Sequence, residues 1–124
     1  MTGAAKKNGS LLIVDDDSSN LMMLTHVFMS EYKVLVAKDG ETALERAGKS
    51  PVDLILLDIV MPGMSGYDVL ARLKENESTR NIPVILISGK EIRIPEGAVD
   101  FIHKPINETA IKDRVRCRLV NRGK

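Results

Sequence analysis

The feature that most restricts the fold of this 124-residue chain is a set of five short apolar runs separated by segments with helical periodicity. Three of the runs are almost continuous in Leu, Ile and Val, which is typical of strands covered on both faces. Strands that alternate with helices favour right-handed crossovers and a parallel sheet. The predicted strands are residues 11–15, 33–37, 54–58, 84–88 and 99–103.

Sequence features typical of helix starts follow four of the predicted strands. Asp17 is a candidate N-cap for the first helix, and the second helix follows Asp39. The third opens at Ser65 with Asp68 three positions on, which is close to a capping box, and the last begins at Asn107 as N-cap. Between the fourth and fifth strands little helical pattern exists and a proline interrupts it, so at most one helical turn fits there.

Composition argues against several classes of function. Aromatic residues make up only 3% of the chain, which weakens nucleic-acid modules that depend on base stacking. Residues 112–124 carry six Lys or Arg against one Asp, which we interpret as the solvated face of a terminal helix. Cys117 is the single cysteine, and no apolar run approaches the roughly 20 residues that cross a bilayer. We expect a cytoplasmic domain that binds neither a membrane nor nucleic acid directly.

Acidic, hydroxyl and ammonium side chains stand at the carboxyl ends of the predicted strands, where open parallel sheets bind ligands. The first strand runs into Asp15 and Asp16, the third ends in Asp58, the fourth in Ser88, and the fifth leads to Lys104. Adjacent carboxylates call for a compensating cation, and all-oxygen ligation suits Mg²⁺ or Mn²⁺. We therefore predict phosphoryl chemistry in which Asp58 accepts the group, Lys104 neutralises its oxygens and Ser88 hydrogen-bonds it.

Four stretches resemble, in order and spacing, the receiver domain of two-component response regulators. The stretches are residues 11–17, 54–63, 84–88 and 97–105. The resemblance covers residues 11–120 and implies an α/β, flavodoxin-like fold, a doubly wound five-stranded parallel sheet with strand order 2-1-3-4-5. Residues 1–10 are then expected to be a disordered lead-in, and residues 121–124 the start of a connector to a C-terminal output domain outside this chain.

The resemblance also implies a role for each site residue. The metal ligands would be Asp15, Asp16, Asp58 and the backbone carbonyl of Val60. The remaining functional positions would be Lys104 as the invariant lysine, Ser88 as the switch hydroxyl and Phe101 as the switch aromatic. Asp58 would receive its phosphoryl group from a sensor histidine kinase or a histidine phosphotransfer protein, so the domain is expected to be a signalling switch and not an enzyme, although it promotes its own phosphorylation and slow dephosphorylation.

The sequence departs from the family at two places. Ser88 and Lys104 are 16 positions apart. This is about six fewer than is usual in the family, or roughly one and a half helical turns, so the family's fourth helix is expected to be shortened or absent. Val60, two positions after the acceptor, is apolar and cannot position an attacking water, which predicts slow loss of phosphate.

Two other interpretations are open. The run from Asp15 also resembles the first motif of haloacid-dehalogenase-type phosphatases, with Asp15 as nucleophile. Those enzymes need an acidic pair beyond their lysine, and only Glu108 and Asp113, which are not adjacent, follow Lys104. The second alternative is a degenerate receiver that serves as a protein-interaction module. The shortened fourth helix favours it, and the complete set of phosphorylation residues argues against it.

Overall fold

The computed structural model describes residues 7–120, which contain five strands and four helices. The strands are β1 (Ser10–Val14), β2 (Lys33–Ala37), β3 (Leu54–Asp58), β4 (Val84–Ser88) and β5 (Asp100–His103). The helices are α1 (Ser18–Phe28), α2 (Gly40–Lys49), α3 (Gly66–Glu75) and α4 (Glu108–Val120).

All the strands lie in one parallel sheet of order β2-β1-β3-β4-β5, which confirms the predicted doubly wound, flavodoxin-like topology. β1, β3 and β4 occupy the centre, and every residue of β3 and β4 is buried. Their nearly continuous apolar sequence follows from this, because a central strand of such a sheet is covered on both faces. β1 begins one residue before the predicted strand, and β5 begins one residue after it.

The sheet separates two aliphatic clusters because successive residues of a strand point to opposite faces. Leu11 and Ile13 of β1 pack in the cluster formed with α1 and α4. Leu12 and Val14 pack in the cluster formed with α2 and α3. Each helix therefore buries its apolar stripe against one face of the sheet, and the strand ends are left free to present polar side chains at its carboxyl edge.

The predicted helix caps of α1, α3 and α4 are confirmed, and Asp39, which precedes the predicted second helix, caps α2. Asp17 accepts a hydrogen bond from Ser19 N–H at 2.8 Å, and Asp39 accepts one from Thr42 N–H at 2.7 Å. The capping box at the start of α3 is complete, with Ser65 and Asp68 as its two members. At the start of α4, Asn107 Oδ1 accepts a hydrogen bond from Ala110 N–H at 2.9 Å.

The connection from β4 to β5, residues 89–99, contains no helix, which confirms the expectation that a helix there is shortened or absent. The segment is nevertheless attached to the core. Ile92 and Ala98 are partly buried against the cluster formed with α2 and α3. Gly97 adopts a φ of +99°, and a side chain there would press on the stem of Lys74 at 3.1 Å.

Part of the predicted lead-in is bonded to the fold. Asn8 N–H donates to the carbonyl of Glu31 at 2.7 Å, and the carbonyl of Gly9 accepts from Lys33 N–H at 2.9 Å. Residues 8 and 9 therefore extend the pairing of β1 with the chain that enters β2, and Ser10 is the first residue of β1 itself. Residues 1–6 and the predicted connector, 121–124, lie outside the described residues. Among residues 7–120, no helix combines the length and the apolar character needed to cross a membrane.

Candidate functional site

Three carboxylates meet at the carboxyl edge of the sheet. Val14 and Leu57 are partners in the β1–β3 ladder, so the residues that follow them, Asp15 and Asp58, lie side by side. Oxygen atoms of Asp15, Asp16 and Asp58 all lie within 4.8 Å of one another. Asp15 and Asp58 are only 2% and 3% exposed, whereas Asp16 is open to solvent. Parallel pairing of two central strands thus produces the acidic cluster.

Lys104 brings a positive charge to this cluster. Its Nζ lies 3.5 Å from Oδ1 of Asp58. Its backbone N–H donates to the carbonyl of Ser88 at 2.8 Å, which ties the residue to the end of β4. The Lys104–Pro105 peptide bond is cis. A separation of 3.5 Å is too long for a good N–H···O hydrogen bond, and the buried Oδ1 of Asp58 accepts no hydrogen bond from residues 7–120.

The electrostatics of Asp58 follow from this position. Burial raises the pKa of Asp58 to about 6, and the nearby carboxylate of Asp15 raises it too. The Lys104 ammonium and the backbone N–H of Val60 act in the opposite direction but do not outweigh burial. A buried carboxylate oxygen without a hydrogen bond, beside two further carboxylates, suits a hard divalent cation that binds oxygen ligands.

The carboxylate of Asp15 is held from the start of α1. Asp17 N–H donates to Asp15 Oδ1 at 2.9 Å, and the side-chain amide of Asn20 donates to Asp15 Oδ2 at 3.1 Å. Asn20 was missed in the sequence analysis. Its place in the first turn of the helix that follows Asp15 was the available indication, because that turn lies beside the strand end.

One cleft of about 520 Å³ brings most of the predicted site together. Asp15, Asp16, Asp58, Val60 and Lys104 all line it. The other lining residues are Asp17, Asn20, Gly89 and Lys90. The predicted metal ligands and the lysine therefore share one solvent-accessible cavity, which opens beyond the carboxyl ends of β1, β3 and β4.

Neither of the two predicted switch residues, Ser88 and Phe101, is among the residues that line this cleft. Ser88 is 2% exposed, and its Oγ accepts a hydrogen bond from Lys90 N–H at 3.0 Å. Phe101 is half-buried on β5, where its ring meets the ring of His103 edge-to-face with centroids 6.0 Å apart. The structure therefore places both residues next to the 89–99 connection.

Gly66 is a second residue that the sequence analysis missed. The first turn of α3 passes so close to the end of β3 that a Cβ on Gly66 would lie 2.5 Å from the carbonyl oxygen of Asp58. It would lie 2.6 Å from Cα of Ile59, whose carbonyl accepts the Gly66 N–H at 2.8 Å. Only glycine permits this approach, which anchors the segment between Asp58 and α3.

Comparison with known proteins agrees with the geometry. The family model for the response regulator receiver domain matches residues 11–116, and the chain therefore belongs to that family, as predicted. The acidic cluster of Asp15, Asp16 and Asp58 is typical of the phosphoacceptor site of such domains, and the predicted function as a phosphorelay signalling switch is confirmed at this level.

The individual relatives are longer proteins that contain a similar receiver. The chain is 40% identical over 109 residues to a probable cyclic di-GMP phosphodiesterase of Vibrio cholerae, covering 83% of this chain and 25% of that protein. It is 42% identical over 104 residues to the response regulator PleD of Caulobacter vibrioides, covering 78% of this chain and 23% of that protein. The chain thus spans about a quarter of the length of these relatives.

Among solved structures, the chain resembles the response regulator TrrA of Thermotoga maritima, determined in complex with Mg²⁺ and BeF. The TM-score is 0.80 at 26% identity, and the match covers 89% of this chain and 98% of that one. The similarity extends over almost the whole receiver despite the helix that this chain lacks between β4 and β5.

Proposed function

We propose that Asp58 is the phosphoacceptor and that its donor is the phosphohistidine of a sensor histidine kinase or of a histidine phosphotransfer protein. The observation that supports this best is the state of Asp58 Oδ1. It is buried, accepts no hydrogen bond from the described residues and lies 3.5 Å from the Lys104 ammonium. An oxygen that accepts no hydrogen bond retains its lone pairs for attack on phosphorus.

Asp15 is the less suitable nucleophile. Both of its oxygens accept hydrogen bonds, one from Asp17 N–H and one from the Asn20 amide. Two such bonds hold the carboxylate in one orientation and occupy one lone pair of each oxygen. This difference between Asp15 and Asp58 argues against a haloacid-dehalogenase-type phosphatase, which would need Asp15 to attack.

We assign Mg²⁺, with Mn²⁺ as a substitute, to the carboxylates of Asp15, Asp16 and Asp58 and to the backbone carbonyl of Val60. When bound, the cation supplies positive charge that offsets the phosphoryl oxygens. The protein's own groups carry the transfer. A carboxylate oxygen of Asp58 forms a bond to phosphorus while the bond from phosphorus to the donor imidazole nitrogen breaks, and the Lys104 ammonium neutralises one phosphoryl oxygen.

We propose Ser88 and Phe101 as the residues that respond to the phosphoryl group. Ser88 Oγ already accepts a hydrogen bond from Lys90 N–H, and its own proton is free to be donated to a phosphoryl oxygen. Ser88 also accepts the Lys104 N–H through its carbonyl, so its displacement would pull on both ends of the 89–99 connection. The signal is therefore expected to leave through an irregular segment and through β5, where other receivers use a helix.

Slow dephosphorylation is part of the proposal. The side chain of Val60 is 69% exposed, lines the cleft and carries no group that hydrogen-bonds a water. The acyl phosphate should therefore decay slowly. Radiolabel release from the phosphorylated domain measures this lifetime, and complete loss within seconds would contradict the assignment to Val60.

The proposed partners are the phosphohistidine donor and an output domain. The small share of each relative that the chain spans, 25% and 23%, supports an output domain in the whole protein. A cytoplasmic location, in reach of the kinase's phosphohistidine, is expected.

Incubation with acetyl phosphate and Mg²⁺ tests the function directly. Intact-mass measurement should show the gain of one phosphoryl group, and Asp58→Asn should abolish it. Asp113→Asn changes an exposed aspartate on α4 and should leave the uptake unchanged. Peptide mapping that places the group on Asp15 would favour the phosphatase. No uptake by the wild-type domain would favour the interaction module.

A further inference from the structure

We propose that Asn20 is a positioning residue that holds the carboxylate of Asp15 for divalent-cation binding. The inference rests on the proposed metal-binding role of Asp15. Asn20 lines the cleft, is half-buried, and its Nδ2 donates to Asp15 Oδ2 at 3.1 Å. With Asp17 N–H on Oδ1 at 2.9 Å, both oxygens of Asp15 are held from the first turn of α1.

A comparison of two helix starts supports a dedicated role. In α3 the N–H of the N-cap residue, Ser65, donates to the carboxylate three positions on, Asp68, at 3.1 Å. In α1 the N-cap is Asp17 and the residue three positions on is Asn20. In the capping box of α3, the backbone N–H of the N-cap residue and the side chain three positions on bond to each other. In α1 the same two groups, the N–H of Asp17 and the side chain of Asn20, both donate to Asp15 instead. The first turn of α1 therefore directs two donors at one carboxylate outside the helix.

The chemical consequence concerns orientation. Asp15 is buried beside Asp16 and Asp58, whose negative charges favour rotation of its carboxylate away from them. Hydrogen bonds from Asp17 and Asn20 oppose that rotation, and charge-assisted bonds are roughly twice as strong as neutral ones. Each carboxylate oxygen keeps a second lone pair for a cation or for a water bound to it. Removing such an outer partner of a metal ligand typically weakens metal binding by about 10- to 100-fold.

The Mg²⁺ dissociation constant of the whole domain, measured by calorimetric titration, tests the proposal. Asn20→Leu removes the amide at similar volume and should weaken Mg²⁺ binding by about 10- to 100-fold. Asn20→Gln keeps an amide and should recover part of that loss. Ser19→Leu places the same apolar side chain at the preceding exposed position of the same turn and should bind Mg²⁺ as the wild type does. If Leu destabilises α1, Asn20→Ala makes the same test.

A crystal structure of metal-free Asn20→Leu separates orientation of Asp15 from helix capping. We expect a rotated Asp15 carboxylate with the start of α1 unchanged. Wild-type Mg²⁺ affinity in the folded Asn20 variants, or an unmoved Asp15, would overturn the proposal, as would a wild-type domain that binds no Mg²⁺. Failure of the wild type to accept phosphate would overturn the function of Asp58 alone, because affinity and orientation are measured without phosphorylation.

Discussion

The side-chain nitrogen of Lys104 lies 3.5 Å from Oδ1 of Asp58, a buried oxygen that accepts no hydrogen bond within residues 7–120. The ammonium lowers the pKa of Asp58, yet burial and the Asp15 carboxylate outweigh it and the pKa rises to about 6. One lysine therefore does not offset the charge that β1 and β3 bring together. A divalent cation would offset the remaining negative charge. Without a cation that charge stays uncompensated, so the stability of the metal-free domain should depend on pH.

Metal-free wild-type protein should become less stable as pH rises from about 4 to about 6 and should then level off. The pKa of Asp58 is about 6 when folded, against an ordinary value of 3.8, so the unfolded chain releases this proton first. The difference corresponds to about 3 kcal/mol at most. Asp58→Asn removes this loss and should be more stable than wild type by up to that amount at pH 7.

Urea denaturation in a chelating buffer measures the effect across this pH range. The difference between wild type and Asp58→Asn isolates Asp58 from other titrating groups. Asp113→Asn, on the surface of α4, should follow the wild-type profile. Equal dependence on pH in wild type and Asp58→Asn would show that the carboxyl has an ordinary pKa.

Mg²⁺ should stabilise the wild-type domain against heat. A ligand that binds only the folded state adds about 2.7 kcal/mol at a concentration 100 times its dissociation constant. Asp16→Asn should remove most of this gain, because Asp16 contributes an exposed carboxylate within 4.8 Å of the other two. Thermal melts with and without Mg²⁺ measure it, and Asp113→Asn is the control. A full Mg²⁺ shift in Asp16→Asn would exclude it as a ligand.

Lys104→Met should slow phosphate uptake from acetyl phosphate. The ammonium is the cation that the chain itself places against Asp58, and loss of one preorganised charge-stabilising group typically costs on the order of 10²-fold in rate. Mg²⁺ binding should persist, since Lys104 is not a ligand. Lys49→Met, on the exposed end of α2, is the matched control. The measurement is the initial rate of phosphate incorporation, and an unchanged rate in Lys104→Met would exclude a catalytic role for this lysine.

Gly66→Ala should destabilise the fold by about 1–3 kcal/mol, the usual cost of overpacking. Its methyl group would lie 2.5 Å from the carbonyl oxygen of Asp58, so α3 or the segment before it must shift. The control is Gly48→Ala in α2, where nothing lies within 4 Å. That change should be neutral or stabilise by about 0.5–1 kcal/mol. Urea midpoints test both, and equal effects would refute the close approach.

Much of the fold could be predicted because its determinants are local. The caps at Asp39 and Asn107 involve neighbours within three residues, and the alternation of apolar runs with helices defines the sheet. The start of β1 could not be predicted from the sequence, because it depends on a partner far along the chain. Ser10 N–H donates to the Asp53 carboxylate at 2.8 Å, and its carbonyl accepts from Asp53 N–H at 2.8 Å. Strand order followed from the family resemblance, not from periodicity.

The candidate site divides in the same way. Asp58 and Lys104 were predictable because the carboxyl ends of parallel strands meet at one edge of a sheet. Two other contacts could not be predicted, because they depend on how α1 and α3 are placed against the strand ends. They are the hydrogen bond from Asn20 to Asp15 and the close approach of Gly66 to Asp58. The switch role of Ser88 stays a prediction, since its hydroxyl bonds within its own turn.

The helix-free connection between β4 and β5 is a suitable site for inserting a foreign peptide into the domain. Both ends of residues 89–99 are fixed by strands in register, and Ile92 and Ala98 anchor the segment on either side of an exposed Ile94. Lengthening a flexible loop costs only about 0.6 kcal/mol per doubling. A peptide or reporter inserted beside Ile94 would therefore lie between Ser88 and Lys104, and the proposed switch role of Ser88 predicts that its conformation follows the phosphorylation state.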